Sequence, residues 1–279
     1  MSLSWTLYET SSSSNSDKLV YSAKGIKADN EITISGGTIT VYAYDDAIHA
    51  NADEIIESTN AYGTGNVTLS GGTITVKSHD DGVHADGTLT INGATVTVTE
   101  SYEGLEGNTV SIESGTATIT ASDDGVNAQS AINVSGGRLD VTVSPSGDTD
   151  GIDSNGTITI SGGIVITRGP NSQTMSPLDA DGAINIEGGT VIIIGYAPNS
   201  SSSGGQSGPG GQRNPFGGGG MTGGTLTVSS SLTKTQSSSA GLSEGSHTVT
   251  IGSTTISYTN TYTYSGYTTV YGSGSATIK

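Results

Sequence analysis

The chain has 279 residues, with 43 glycines, no cysteine, one Trp and one Phe. Only 9 lysines and arginines stand against 26 acidic residues, so the formal net charge is −17, which excludes nucleic-acid binding through basic contacts to phosphates. Disulfides and a thiolate zinc site are excluded as well, and no apolar run is long enough to span a membrane.

The first 22 residues come before any repeated pattern. They begin with "MSLS", which is typical of an expression leader, and we expect residues 1–22 to form a leader and an N-terminal cap. No signal peptide is visible in them. We expect a trimmed extracellular or cell-surface protein.

Residues 23–199 carry a repeated unit of alternating aliphatic and polar residues around a pair of small residues. It reads "ITISGGTITV" from Ile32, "VTLSGGTITV" from Val67 and "INVSGGRLDV" from Ile132, with a basic period of about 22 residues. The alternation predicts short strands, and no helical stripe is present. We therefore predict an all-β fold, a right-handed parallel β-helix (solenoid) with coils of about 22 residues. A β-sandwich or barrel is the alternative.

The remaining segments interrupt or follow the repeats. Residues 51–65 form an insertion, and residues 200–220 are a low-complexity Gly/Ser-rich loop that cannot bury a core. Residues 221–279 begin with a last repeat and continue as a Thr/Tyr-rich segment. We expect them to form the last coil and a C-terminal β cap, which would protect the open strand edges.

An acidic block opens several of the repeats. It reads "YDDAIHANA" from Tyr44, "HDDGVHADG" from His79 and "SDDGVNAQS" from Ser122. Aligned by repeat, the blocks predict an inward column of aliphatic residues and, by strand alternation, an outward row beside it. A Gly or Ala between carboxylate and aliphatic is expected to leave the sheet face bare. The outward row contains Lys27, His49, His84, Glu106, Asn127, Asp153 and Asp179.

The acidic residues of these blocks stack from repeat to repeat. Carboxylates at coil spacing repel one another by about 1–4 kcal/mol per pair, which calls for a counter-ion. Calcium binds several oxygens and is readily shared between carboxylates, so we predict Ca²⁺ as the cofactor. Asp before Gly is also a common turn former, which is the structural alternative. The predicted metal ligands are Asp45, Asp46, Asp80, Asp81, Glu103, Asp123, Asp124, Asp148 and Asp150.

The motifs "DDAIHA", "DDGVHA" and "DDGVNA", alternating with "SGGTITV", resemble the bacterial carbohydrate-binding β-helix family of cellulolytic clostridia, whose fold is similar to that of pectate lyases. The resemblance covers residues 24–196. It implies a secreted or surface-anchored module that binds cellulose and acidic polysaccharide with calcium in the site. Plant cell-wall polysaccharides are thus the expected partners, and the oligomeric state is left open. The predicted carbohydrate-binding residues are His49, His84, Glu106, Asn127, Asp153, Asp179, Tyr44 and Tyr102.

Three alternatives to a binding module remain at this point. A calcium-dependent pectate lyase needs a base, for which Lys77 and Arg168 are the candidates, but acidic neighbours would keep both protonated. A hydrolase needs one acid and one base with different pKa values, which a column of equivalent carboxylates does not provide. A structural surface protein is the third. His49 and His84 could also ligate a transition metal, although lone histidines on a sheet face are more commonly plain polar residues.

Overall fold

The computed structural model describes residues 23–52, 55–56, 61–172, 174–198 and 224–279. The predicted leader at 1–22 and the predicted Gly/Ser-rich loop at 200–220 lie outside the described residues. In the described part of the chain the secondary structure is all β, and no helix there is long and apolar enough to cross a bilayer.

The alternating Ile, Val and Thr residues form strands in which every second side chain points into the core. The first ten strands are β1 (Ile26–Ala28), β2 (Glu31–Tyr42), β3 (Ile48–Ala50), β4 (Ile55–Ile56), β5 (Ala61–Tyr62), β6 (Asn66–Lys77), β7 (Val83–Glu100), β8 (Leu105–Thr120), β9 (Val126–Val134) and β10 (Arg138–Thr142). The others are β11 (Ile152–Ser154), β12 (Thr157–Ile160), β13 (Ile164–Arg168), β14 (Ile184–Ile186), β15 (Thr190–Gly195), β16 (Leu226–Val228), β17 (Thr233–Ser237), β18 (Gly245–Ile251), β19 (Thr254–Asn260), β20 (Tyr267–Gly272) and β21 (Ala276–Ile278).

Strands from successive repeats pair in parallel, with equivalent residues opposite one another. Ile32 of β2 lies opposite Val67 of β6, Val67 lies opposite Leu89 of β7, and Leu89 lies opposite Val110 of β8. In this register equivalent residues of successive repeats are neighbours, so each aliphatic side chain packs on its counterpart in the next repeat. The repeat therefore fixes the neighbour of each strand.

The prediction of a regular right-handed parallel β-helix is wrong. Among the described residues the main sheet has 16 strands and forms a curled half-barrel of mixed pairing, in which β20 runs antiparallel to both β15 and β17. β18, β19 and β21 form a separate antiparallel sheet, and β4 and β5 form a two-stranded antiparallel pair. The reason lies in the chain from Thr233 onward, which lacks the repeat and reverses at tight turns such as Gly252 (φ 59°), so its strands pair with antiparallel neighbours.

Two hydrophobic cores hold the sheet. The larger one fills the inside of the curl and contains the predicted inward column, which is buried throughout from Ile48 to Leu178. The smaller one lies between β13 and β15 and the C-terminal sheet, where Ile166 and Ile192 pack with Val249 and Ile256. The C-terminal strands thus cover one outer face of the repeats as well as the edge of β15.

The predicted bare row of Gly and Ala is buried, which corrects that expectation. A Cβ added at Gly82 would lie 2.8 Å from Val98 Cγ1 of β7, and at Gly104 and Gly125 it would overlap Ile119 of β8 and Val141 of β10, which come later in the same repeat. Ala47, in the equivalent position of an earlier repeat, is fully buried. These small residues are therefore required by close packing against a β-branched residue near the end of a later strand of the same repeat.

Candidate functional site

The outward row predicted from the aligned acidic blocks is present in the strand pairing. Consecutive members lie opposite one another across β1, β3, β7, β8, β9 and β11, in the order Lys27, His49, His84, Glu106, Asn127 and Asp153. Asp179 follows at the next repeat, where its amide donates to the Ile152 carbonyl. The predicted register of these residues is confirmed.

The carboxylate column lies in the bends that lead into these strands. The bends are stacked by hydrogen bonds from the following residue to the next bend, as from Gly82 N to Glu103 O (2.9 Å) and from Gly104 N to Asp124 O (2.9 Å). Column and row touch each other across repeats, since Asn127 Nδ2 donates to both Glu103 carboxylate oxygens at 3.1 and 3.2 Å. We call the two together the acidic strip, which comprises Asp46, Asp81, Glu103, Asp124 and Asp150 with His49, His84, Glu106, Asn127, Asp153 and Asp179.

Three carboxylates of the column accept hydrogen bonds from the backbone and so have a structural role. Asp46 Oδ1 accepts the Asp81 amide at 3.2 Å, Asp124 Oδ1 accepts the Asp150 amide at 2.8 Å, and Asp150 Oδ1 accepts the Ser176 amide. Each of these carboxylates thus ties its own bend to the bend of the next repeat. The turn-former alternative accounts for one oxygen of each group and leaves the second oxygen for another partner.

Ionisation is unfavourable for most carboxyl groups of the strip. Burial, followed by neighbouring carboxylates, raises the pKa of Asp150 to about 8 and that of Asp153 to about 7. Burial likewise raises the pKa of Glu103 to about 8 and that of Asp124 to about 7, against lowering by hydrogen bonds to each. Among the described residues no lysine or arginine pairs with these four carboxylates. The strip therefore holds either protons or a cation when it is folded.

The first bend is different because Lys24 supplies a positive charge there. Its ammonium group contacts Asp46 Oδ2 and lies 3.4 Å from Asp45 Oδ1. Despite burial, the close contacts of its carboxylate with His49 and Lys24 hold the pKa of Asp46 well below its usual range. Asp80 lies nearby, and its pKa is raised by burial and by Asp46 and Asp45.

The two histidines of the strip stack on each other. Their ring centroids are 4.1 Å apart with an interplanar angle of 7°. His84 Nδ1 lies 3.0 Å from Glu106 Oε2 and 3.1 Å from Asp81 Oδ2. Burial raises the pKa of both Asp81 and Glu106 to about 8. The predicted site residues at this end are therefore brought into one contact network.

The donor chemistry of the strip beyond the histidines fits calcium, because it consists of carboxylate and carboxamide oxygens. Asp123 and Asp148 flank it: Asp123 has its pKa raised by burial and by Asp148, although a hydrogen bond with Tyr102 opposes this. Three acid or histidine ligand atoms lie within 4.8 Å of one another at three places in the described chain, all between Asp45 and Glu106. A cation farther along would be held by fewer carboxylates, with backbone carbonyls or water completing its shell.

A shallow groove of about 300 Å³ runs beside the strip. It is lined partly by strip residues and partly by a second outward row that the sequence analysis missed. The same alternation, two residues further on, would have found it. That row comprises Asp86, Asn108, Gln129 and Asn155.

Polar side chains of the second row are linked across repeats. Ser130 Oγ donates to Asn108 Oδ1 at 2.7 Å, and Asn155 Nδ2 donates to Gln129 Oε1 at 3.3 Å. The groove wall is thus a set of amides and carboxylates, which are donors and acceptors suited to hydroxyl groups.

The two predicted tyrosines lie at the other margin of the column. Tyr44 and Tyr102 are 55% and 50% exposed, and the Tyr44 ring lies 5.1 Å from the ring of His79. A hydrogen bond to Asp123 is the main cause that raises the pKa of Tyr102 to about 12. Both rings are available to a ligand that contacts the acidic strip.

The two cations considered as a lyase base are already engaged. Lys77 Nζ lies 2.5 Å from Glu100 Oε2. Arg168 is 1% exposed and donates to Asp140 Oδ1 (2.6 Å), the Val141 carbonyl (2.8 Å) and Asn260 Oδ1 (2.8 Å). Arg168 thus lies inside the protein, between the repeats and the C-terminal sheet, where a polysaccharide cannot reach it.

Comparison with known proteins gives a family. Neither the curated proteins nor the solved structures contain a match to the chain. A family model described as "Carbohydrate-binding domain-containing protein" matches residues 4–64, 56–107 and 103–279. The expected family is confirmed as far as carbohydrate binding, whereas its regular β-helix is not. Since the match covers well over half of the sequence, the chain belongs to the family of carbohydrate-binding domain-containing proteins.

Proposed function

We propose that the chain is a non-catalytic, secreted or cell-surface module that binds plant cell-wall polysaccharide, cellulose or pectate, through calcium ions on the acidic strip. The family membership supports polysaccharide binding. The calcium ions, the pectate or cellulose specificity and the location belong to the proposal.

One observation carries the proposal: beyond Asp81 the half-buried carboxylates of the strip have no lysine or arginine partner in the described chain, and one of them, Glu106, lines an open groove together with Asn127. Calcium accepts six to eight oxygen ligands, so ions bound to Glu103, Asp124 and Asp150 would keep positions for oxygens of a ligand. A uronate carboxylate could then bind a chain of the same sign of charge, because the ion bridges the two.

The groove and the neighbouring tyrosines also suit the uncharged parts of a polysaccharide, its hydroxyl groups and the apolar faces of its rings. Amide and carboxylate groups such as Asn127 and Gln129 can exchange hydrogen bonds with hydroxyls, and the exposed rings of Tyr44 and Tyr102 offer flat apolar surface. A lyase reaction finds less support, since its base would have to be Lys77, paired with Glu100, or the enclosed Arg168.

The test is affinity electrophoresis in gels that contain polygalacturonate or a soluble cellulose derivative. We expect the protein to be retarded in calcium and to migrate freely in EGTA. A Glu103→Gln/Asp124→Asn variant should lose most of the retardation in polygalacturonate, because these changes remove two proposed ligands with little change of shape. Glu187→Gln is the matched control, since Glu187 is an exposed acid outside the strip.

Retardation that persists in EGTA, or that the double variant leaves unchanged, would contradict calcium-bridged binding. The same polygalacturonate incubations, followed by ultraviolet absorbance, test catalysis. Accumulation of unsaturated product would replace the binding module by a lyase.

A further inference from the structure

The stacked histidines are held from one side by a single carboxylate. His49 Nε2 and His84 Nε2 lie 3.1 Å and 3.4 Å from the same oxygen, Asp86 Oδ1. The other Asp86 oxygen accepts the Ala52 amide at 2.8 Å, which fixes the carboxylate. A carboxylate at Nε2 favours the tautomer with its proton there, so the Nδ1 lone pair of each ring is directed to the opposite side.

On that opposite side the Nδ1 atoms meet oxygen atoms. His49 Nδ1 is 2.5 Å from Asp46 Oδ2, but it is buried without a hydrogen-bond partner, because the oxygen is not in line for one. The His49 residue is only 7% exposed. His84 Nδ1 faces Asp46 Oδ2 at 3.9 Å, besides Asp81 and Glu106. Lone pairs and carboxylate oxygens at these distances repel one another unless a proton or a metal ion lies between them.

A proton on each Nδ1 would be a poor solution, since it would place two imidazolium charges face to face in rings 4.1 Å apart. A single cation shared by both rings removes the repulsion at both nitrogens once the rings tilt out of their nearly parallel stack, so that the two in-plane lone pairs converge on the ion. Asp46, His49 and His84 each offer one ligand atom, and the three atoms lie within 4.8 Å of one another, as ligands of one ion must.

We propose that Asp46, His49 and His84 bind one divalent transition-metal ion such as zinc. Imidazole nitrogen is a preferred ligand of zinc, nickel and copper, whereas calcium prefers oxygen. The strip thus divides by ligand type into a nitrogen-containing end at His49 and His84 and an all-oxygen remainder. Three protein ligands leave a coordination position, which water or one of the adjacent carboxylates, Asp81 or Glu106, can fill.

Lys24 competes with this ion, because its ammonium group contacts the same Asp46 oxygen that the metal would bind. The competition gives the proposal a distinctive consequence. Replacement of Lys24 by glutamine removes a positive charge from the site, so metal affinity should rise. A purely structural histidine pair would not respond in that way.

The experiment is a zinc titration of the chelator-treated full chain in excess calcium, followed by calorimetry and, with cobalt, by visible absorption. We expect one zinc per chain and a cobalt spectrum that changes when a histidine ligand is lost. Asp86→Ala, which removes the Nε2 partner, should weaken binding roughly 10–100-fold. His49→Gln and His84→Gln should weaken it more, and Lys24→Gln should strengthen it.

His79→Gln and His247→Gln are the matched controls, since these two histidines lie outside the cluster. Zinc binding that is absent from the unmodified chain, or that His49→Gln and His84→Gln leave intact, would overturn the proposal. Circular dichroism of each variant checks the fold, and the Lys24→Gln gain cannot arise from misfolding. Polygalacturonate retardation in calcium is a separate readout, so failure of the zinc site and failure of the calcium-bridged function are distinguishable.

Discussion

The small residue that follows each carboxylate in the column is set by packing. A Cβ at Gly125 would overlap Val141 of the later strand β10, and at the equivalent glycines 82 and 104 it would meet Val98 and Ile119. The "DDG" pattern thus combines two requirements. The carboxylate connects one bend to the next, and the glycine leaves room for a β-branched side chain of the core.

Gly125→Ala should therefore destabilise the fold. The added methyl group would overlap Val141 Cγ1 and lie 2.6 Å from the Gly151 carbonyl oxygen, and overpacking of this kind costs about 1–3 kcal/mol. Gly36→Ala is the control, because a Cβ at Gly36 meets nothing within 4 Å. Urea denaturation measures both. Equal stability of the two variants would show that the Gly125 site relaxes freely.

At the scale of residues, the sequence predicted which face of the sheet each side chain lies on, but not how deeply the neighbouring residues are buried. Alternation placed His49, His84 and Glu106 correctly in one outward row, because the side-chain period of a strand is two. It could not show that the neighbouring glycines are enclosed, since enclosure depends on the strand that packs across the core. The contact of both histidines with Asp86 could not be predicted either. Asp86 belongs to the second outward row, and it contacts His49 of one repeat as well as His84 of the next.

At the scale of elements, β13 and β15 differ from the first strand of the repeats, β2. β2 reads "EITISGGTITVY", with alternating exposure, whereas β13 reads "IVITR" and β15 reads "TVIIIG", with nearly every residue buried. Continuous apolar runs are typical of strands covered on both faces. This difference predicts a second layer over β13 and β15, which the C-terminal sheet provides.

Arg168 at the end of β13 fastens that layer. Its guanidinium group joins Asp140 of β10 to Asn260 of β19 and lies 5.4 Å from the centroid of the Tyr258 ring. Arg168→Met should destabilise the protein by about 3 kcal/mol, because Asp140 Oδ1, the Val141 carbonyl and Asn260 Oδ1 lose their buried donor, while Arg138 still pairs with Asp140 Oδ2.

Lys77→Met is the control for that change. It removes a solvent-exposed ion pair with Glu100 and should cost at most about 1 kcal/mol. Chemical denaturation compares the two variants. If Arg168→Met were no worse than Lys77→Met, the guanidinium group would not hold the two layers together.

At the scale of the whole molecule, the repeat predicted which strands are neighbours and which residues stack, but not how the sheet ends. The antiparallel pairing of β20 with β15 and β17 joins segments that share no repeat, so no spacing in the sequence encodes it. Alignment identified the candidate site because the site is itself repeated. The C-terminal layer could not be predicted in this way, because its sequence occurs once and offers no second copy to align.

The charge of the whole chain gives the last prediction. With a net charge of −17 and half-buried carboxylates stacked along the strip, the folded state should bind calcium more tightly than the unfolded state does. Linkage then stabilises the protein by about 2.7 kcal/mol at 100 times Kd, which raises Tm by roughly 5–10 °C in a chain of this size. Differential scanning calorimetry in calcium and in EGTA measures the shift. Asp124→Asn/Asp150→Asn should reduce it, whereas Glu187→Gln and His49→Gln should keep it, since neither removes an oxygen ligand of the remainder of the strip. An identical Tm in calcium and in EGTA would show that the strip is neutralised by protons and needs no metal ion.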